Sequence, residues 1–162
     1  MVHVIRRSNP VVRKRSGGRY EVVLDPVNRQ AMDSLLGELE YLLDGAPDDP
    51  SLIRLHPPAY SDDPDRDLAY QILAGDELRT RRRATITSVR ASLNRSELSE
   101  DDLWGWLQAL NALRLVVGTR LGIQDDHHDR PPLSGDDPLV ALWDVYDFTG
   151  QVQYFVVLAL SP

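Results

Sequence analysis

The chain has 162 residues and no cysteine. That excludes disulfides, thiolate metal sites, a cysteine nucleophile and thiol-based redox sensing. Long apolar runs are also missing. The longest, "YFVVLAL" from Tyr154 to Leu160, is far shorter than the roughly 20 residues that cross a bilayer. The opening residues "MVHVIRRSNPVVRKR" are broken by charge, so no signal-peptide pattern appears. The expected location is cytoplasmic, with no membrane association. Lysine is nearly absent, Lys14 standing alone among eighteen cations, as in proteins from GC-rich genomes. No carboxylate occurs in the first twenty residues, which hold Arg6, Arg7, Arg13, Lys14, Arg15 and Arg19.

What remains is ordinary for a globular protein: 42% hydrophobic and 27% charged residues, in a length that suits one domain with a real core. The net charge of −7 is uneven. Removing the six N-terminal cations leaves twelve against twenty-five carboxylates, a balance of −13. An acidic body repels nucleic acid at long range, so any DNA contact must be local and salt-dependent.

Local signals give a mostly α fold, an N-terminal β-hairpin packed on a bundle of four or five helices, as a single domain over residues 1–162. Residues 1–25 form the hairpin, with "SGG" at Ser16–Gly18 supplying the positive φ of its turn. Residues 26–160 form the helical core. Asp25 caps a helix with Pro26 first, an apolar face at Leu35, Leu36, Leu39, Leu42 and Leu43, and Gly45 at its end. The proline-rich connector that follows is tied to the core by Leu52, Ile53, Leu55 and Tyr60. Asp63-Pro64 starts a helix through Leu68, Ile72 and Leu78 to about Thr80. Thr80 is in turn positioned to cap another helix through Ile86, Val89 and Leu93, so one bent helix and two helices are both open. Ser99 and Asp102 have capping-box spacing and open a helix from about Glu100 to Leu121. Residues 124–137 read as a mobile polar loop. Asp137-Pro138 starts a last helix to about Leu160, although the β-branched 150–160 segment also permits a strand.

The segment "WLQALNALRLVVGTRLGI", Trp106 to Ile123, is the most informative. At about 100° per residue, Leu103, Leu107, Leu110, Val117 and Leu121 share one stripe, with Arg114 inside it and Gly118 beside it. An arginine on an inner helix face stays charged and must be paired or reach water. A structural ion pair is therefore expected for Arg114, with Asp67, Glu77, Asp144 or Asp147 as partner. Gly118 is expected to allow close helix packing, and Gly122 to cap the helix. The all-round apolar character of this helix and the last one also points to a homodimer.

These residues carry a resemblance. Trp106, Leu110-Asn111, Arg114-Leu115 and Gly118-Thr119-Arg120-Leu121 are similar to the pattern of an actinobacterial family of unknown function encoded beside the ClpS adaptor. Pro57–Pro64 and Leu78-Arg79-Thr80 resemble its proline-rich entry and acidic helix. The resemblance implies a mostly helical cytoplasmic protein. It also implies a non-enzymatic transcriptional regulator of the AosR type, acting through contact with a sigma factor or DNA. The oxidation switch of such members is attributed to a cysteine pair that this sequence lacks, so that half does not carry over. The alternative, suggested by the neighbourhood of the relatives, is an interaction protein tied to ClpS-type regulated proteolysis.

Candidate partner or nucleic-acid contacts are Arg79, Arg81, Arg82 and Arg83 on a helix, and Arg13, Lys14 and Arg15 on the hairpin. Each group also has a structural reading, as helix ion pairs in the first case and as a charge-protected sheet edge in the second. No helix-turn-helix can be drawn. "DDHHD", Asp125–Asp129, lacks the spacing of a zinc site, and "SDDPDRD", Ser61–Asp67, lacks the glycine of a calcium loop. No cofactor or metal is expected. No serine sits in a nucleophile-elbow context, and His3, His56, His127 and His128 fall in tail or loop segments. No catalytic residue is assigned.

Overall fold

The structure is a computed structural model; it describes residues 8–46, 48–55, 59–124 and 129–162. Strands β1 (Val12–Arg15) and β2 (Arg19–Val22) pair antiparallel, from Val12 opposite Val22 to Arg15 opposite Arg19. Gly17 and Gly18 make the turn at φ of 72° and 69°, a left-handed region in which a Cβ would be strained. A third strand, β3 (Leu98–Ser99), adds antiparallel to β2, Tyr20 facing Leu98. It was not anticipated, because two residues carry no periodicity. Val12, Val22 and Leu98 are buried on the inner side of this small sheet.

Helix α1 (Pro26–Gly45) begins where the Asp25 carboxylate accepts from the Asn28 N–H at 2.7 Å. It buries Met32, Leu36, Leu39 and Leu43, a spacing of three and four that forms one stripe. Helix α2 (Pro64–Ser92) resolves the open question at Thr80: it is one continuous helix. The Thr80 hydroxyl donates to the Asp76 carbonyl at 2.8 Å and caps nothing. Helix α3 (Glu100–Arg120) starts with both halves of the capping box. Asp102 N–H donates to Ser99 Oγ at 3.1 Å, and Ser99 N–H to the Asp102 carboxylate at 2.8 Å. It ends with Ile123 N–H on the Gly118 carbonyl and Gly122 N–H on that of Thr119, the Schellman arrangement, with Gly122 at φ 73°. Helix α4 (Leu139–Leu160) takes in the whole 150–160 segment, which removes the strand alternative. Between α3 and α4, residues 125–128 lie outside the described residues, and the remainder of that connection is anchored to α4 by Arg130.

α3 is the hub. It packs against α4, α2, α1, β3 and the short 3-10 turn Pro50–Leu52. It buries Leu103, Trp106, Ala109, Leu110, Ala112, Leu113, Val116, Val117 and Gly118. Trp106 is fully enclosed, its indole N–H donating to Ser92 Oγ at 2.8 Å, and Ser92 in turn to the Val89 carbonyl at 2.7 Å. Most of the apolar surface of α3 is thus buried within the chain, while Trp104 on α3 and Tyr154 and Val157 on α4 remain about half exposed.

Arg114 departs from expectation. Among the described residues it meets no carboxylate. Its Nη1 donates to the Tyr146 backbone carbonyl, and its guanidinium carbon lies 3.9 Å from the centre of the Tyr146 ring. Asp144 and Asp147, two of the expected partners, pair instead with Arg130 at 3.0 and 2.9 Å. The reason is one turn further along α4. Gly150 has no side chain to cover the Tyr146 carbonyl, and the guanidinium occupies the space a Cβ would fill. A carbonyl and a π-face thus do the work assigned to a carboxylate. The close approach that requires glycine is therefore at Gly150. At Gly118, buried as expected, an added Cβ would meet Arg54 and Tyr146 at 3.7 Å, an ordinary contact.

Candidate functional site

Three features lie together along α2: an apolar stripe, a row of arginines and a cleft against α3. At 100° per residue, Leu68, Ile72, Arg79, Arg82, Ile86, Val89 and Leu93 share a single side of the helix. From Ile86 onward that side is core. Over Pro64–Thr85, more than half the helix, no residue is buried. Leu68, Ile72 and Leu73 are 61%, 69% and 84% exposed, and Ile53 on the adjoining segment 62%. Leu68, Ile72 and Ile53, together with Leu52, Pro50 and Gly75, line a groove of about 640 Å³ bordered by Asp48, Asp49 and Asp76; Leu73 lies off this stripe. The sequence placed Leu68 and Ile72 on the apolar face of a helix, and among the described residues nothing covers that face.

The start of this arm is held firmly. Asp63 accepts from Arg66 N–H at 3.1 Å, and the Asp67 carboxylate takes the N–H groups of Ala59 and Tyr60 at 2.7 and 3.1 Å. The Arg66 guanidinium sits 4.2 Å from the centre of the Tyr60 ring, which packs edge-on to Tyr70. Of the carboxylates in the 61–67 segment, Asp63 thus caps the helix, as its spacing suggested, while Asp67 ties the preceding connector to the first turn.

The candidate arginines are mostly engaged. Arg79 pairs with Asp76, Arg81 with Glu77 at 2.7 Å and Arg83 with Asp44 at 2.9 Å. Further along, Arg90 bridges Asp33 at 2.8 Å and Glu40 at 3.1 Å, linking α2 to α1 against Gly37. The hydrogen bond from Arg90 holds the Asp33 carboxyl below its ordinary range and raises Arg90 in return. Arg82 differs. Among the described residues its partner is neutral, the Leu55 carbonyl at 2.8 Å, and burial pushes its pKa down. Arg82 faces a cleft of about 290 Å³ between α2 and α3, lined also by Leu78, Arg81, Thr85, Ile86, Gln108, Ala109, Asn111 and Ala112.

On the hairpin, Arg13, Lys14 and Arg15 are exposed, as is Arg19. Arg15 pairs with Glu21, while Arg13, Lys14 and Arg19 meet no carboxylate among the described residues. Register puts Arg13 opposite Glu21 and Arg15 opposite Arg19, so one side of the sheet carries three arginines and one carboxylate. Arg6, Arg7, the four histidines and most of the Asp125–Asp129 run lie outside the described residues. Among the described residues no three acidic or histidine side chains converge as metal ligands, and no helix is long and apolar enough to cross a membrane.

The profile of the family described as Domain of unknown function (DUF2017) matches residues 8–160. The chain belongs to this family. It is similar to the oxidative stress regulator AosR of Mycobacterium bovis, at 29% identity over 188 aligned positions covering 92% of this chain and 85% of the relative. The oxidative stress regulator AosR of Mycobacterium tuberculosis is similar to the same degree. No solved structure matches. In this DUF2017 chain the Trp106–Ile123 block is the core helix α3 with its cap.

Sequence reasoning missed two features of the site. The bridge of Arg90 to Asp33 and Glu40 spans 57 and 50 residues, which no local pattern reports. The isolation of Arg82 from any carboxylate among the described residues depends on which arginine of "RTRRR" faces α3, and that was decided by helix phase and packing.

Proposed function

We propose that this DUF2017 protein is a non-enzymatic transcriptional regulator. In this reading it works by binding a component of the transcription machinery, a sigma factor first among them, and without cysteine-based sensing. The observation that carries the reading is the apolar face of α2, Leu68 and Ile72 with Ile53, which is uncovered among the described residues. A contiguous exposed apolar patch with polar borders is the usual mark of a protein interaction surface. The names of the mycobacterial relatives support a regulatory role. The borders of the arm add direction to the contact, acidic at Asp62–Asp67 and basic at Arg79–Arg83. The ion pairs of Arg81 and Arg83 are exposed and that of Arg79 partly so, so a partner can exchange them at small cost.

The test is affinity capture from an actinobacterial extract with the wild-type chain and with a Leu68→Glu, Ile72→Glu variant. Both positions are already solvated, so the variant should melt with the wild type. Recovery of sigma factor or polymerase by the wild type, and loss by the variant, is the expected result. Recovery of ClpS or protease components would instead establish the proteolysis reading. Capture that ignores the substitutions, or no capture, would overturn the assignment of this face.

A further inference from the structure

We propose that the cleft between α2 and α3 binds a small organic monocarboxylate, its charge on Arg82 and Asn111 and its hydrocarbon against Leu78, Ile86 and Ala112. The reasoning starts from charge. In a protein of net charge −7, the arginines at 79, 81, 83 and 90 each hold a carboxylate. Arg82 lies between them, half-buried, and among the described residues it holds only a backbone carbonyl, through Nη2. Its Nη1 and Nε have no acceptor there, and burying a guanidinium without a counter-charge is unfavourable. Burial already depresses its pKa, in accord with that environment.

The rest of the cleft suits such a ligand. Gln108 and Asn111 are exposed on the α3 wall, and their side-chain amides have no hydrogen bond among the described residues. They can donate to a carboxylate oxygen that Arg82 does not reach. Leu78, Ile86, Ala109 and Ala112 supply an apolar floor. The volume of about 290 Å³ is at the small end for ligand sites. One uncompensated guanidinium matches one negative charge. Arg81 is already neutralised by Glu77, so a dianionic phosphate would bring its second charge up to that carboxylate. The proposal is independent of the α2 docking face, and the failure of either leaves the other standing.

The test uses the full chain, with benzoate as the probe and benzamide and inorganic phosphate as comparisons. Binding is followed by NMR of the arginine Nε–H and asparagine side-chain N–H resonances. Saturable binding of benzoate that shifts Arg82 and Asn111 is expected, with benzamide and phosphate each at least about tenfold weaker. Arg82→Met should weaken benzoate about tenfold or more, and Asn111→Ala about threefold. Because Arg82 also holds the Leu55 carbonyl, the exposed Asn111 variant, with an unchanged Tm, separates ligand loss from misfolding. Equal binding of phosphate and benzoate would mean an adventitious ion only. That result, shifts confined to other arginines, no saturation in the millimolar range, or unaltered affinity in both variants would overturn the proposal.

Discussion

Replacing Gly150 by alanine is the sharpest probe of how α3 and α4 lock together. A glycine inside a helix is less favourable than alanine by about 1 kcal/mol, so the substitution should by itself stabilise the protein. Here the added methyl group would enter the space of the Arg114 guanidinium, 3.1 Å from its carbon. The guanidinium sits at the end of a flexible side chain and can move away. Moving removes its bond to the Tyr146 carbonyl, about 1.5–3 kcal/mol for a charged donor, and its stacking on the ring, about 0.5–1 kcal/mol. The net expectation is a loss of about 1–3 kcal/mol, a fall in Tm of roughly 3–10 °C for a chain of this size. Gly75→Ala is the control, because its methyl group would meet only Gln71 at an ordinary 3.7 Å and should raise Tm slightly. In an Arg114→Met background, Gly150→Ala should change sign and stabilise. Chemical denaturation of the four combinations measures the coupling. A stabilising Gly150→Ala in the wild-type background would refute the account of the interhelical contact.

The Arg90 bridge gives a pH-dependent prediction. Asp33 is lowered chiefly by its hydrogen bond from Arg90. Its contribution is therefore present above the unfolded carboxyl value of about 4 and lost as pH falls through the lower folded value. Arg90→Met should reduce stability by about 1 kcal/mol at neutral pH, a figure discounted for the partly exposed partners, and should flatten the acid limb below about pH 4. Ser99→Ala removes the cap of α3 and should lower stability by about 1 kcal/mol with no change in denaturant m-value. The hairpin predicts weak duplex-DNA binding that falls steeply with salt and disappears in an Arg13→Glu, Lys14→Glu, Arg19→Glu variant. Binding measured across a salt series checks this, and a flat or absent response in the wild type would remove the hairpin as a nucleic-acid contact.

What the sequence alone determined is what neighbouring residues enforce on one another. The Asp25-Pro26 and Asp63-Pro64 starts, the Ser99/Asp102 capping box, the glycine turn at Gly17-Gly18 and the Gly122 cap are all satisfied within a few residues. They appeared where local pattern put them. The central place of α3 was legible for a related reason, since a helix apolar on every side has nowhere else to go. Tertiary structure decided the charges. Whether Arg114 meets a carboxylate or a carbonyl depended on a glycine thirty-six positions away on another helix. Which arginine of the 79–83 run lacks a counter-ion among the described residues depended on how α2 rolls against α3. Likewise, α2 carries its apolar stripe from Leu68 to Leu93, and only the extent of α1 and α3 fixed where that stripe leaves the core. Hydrogen bonds between neighbours follow chain order, whereas electrostatic pairing and burial follow proximity in space.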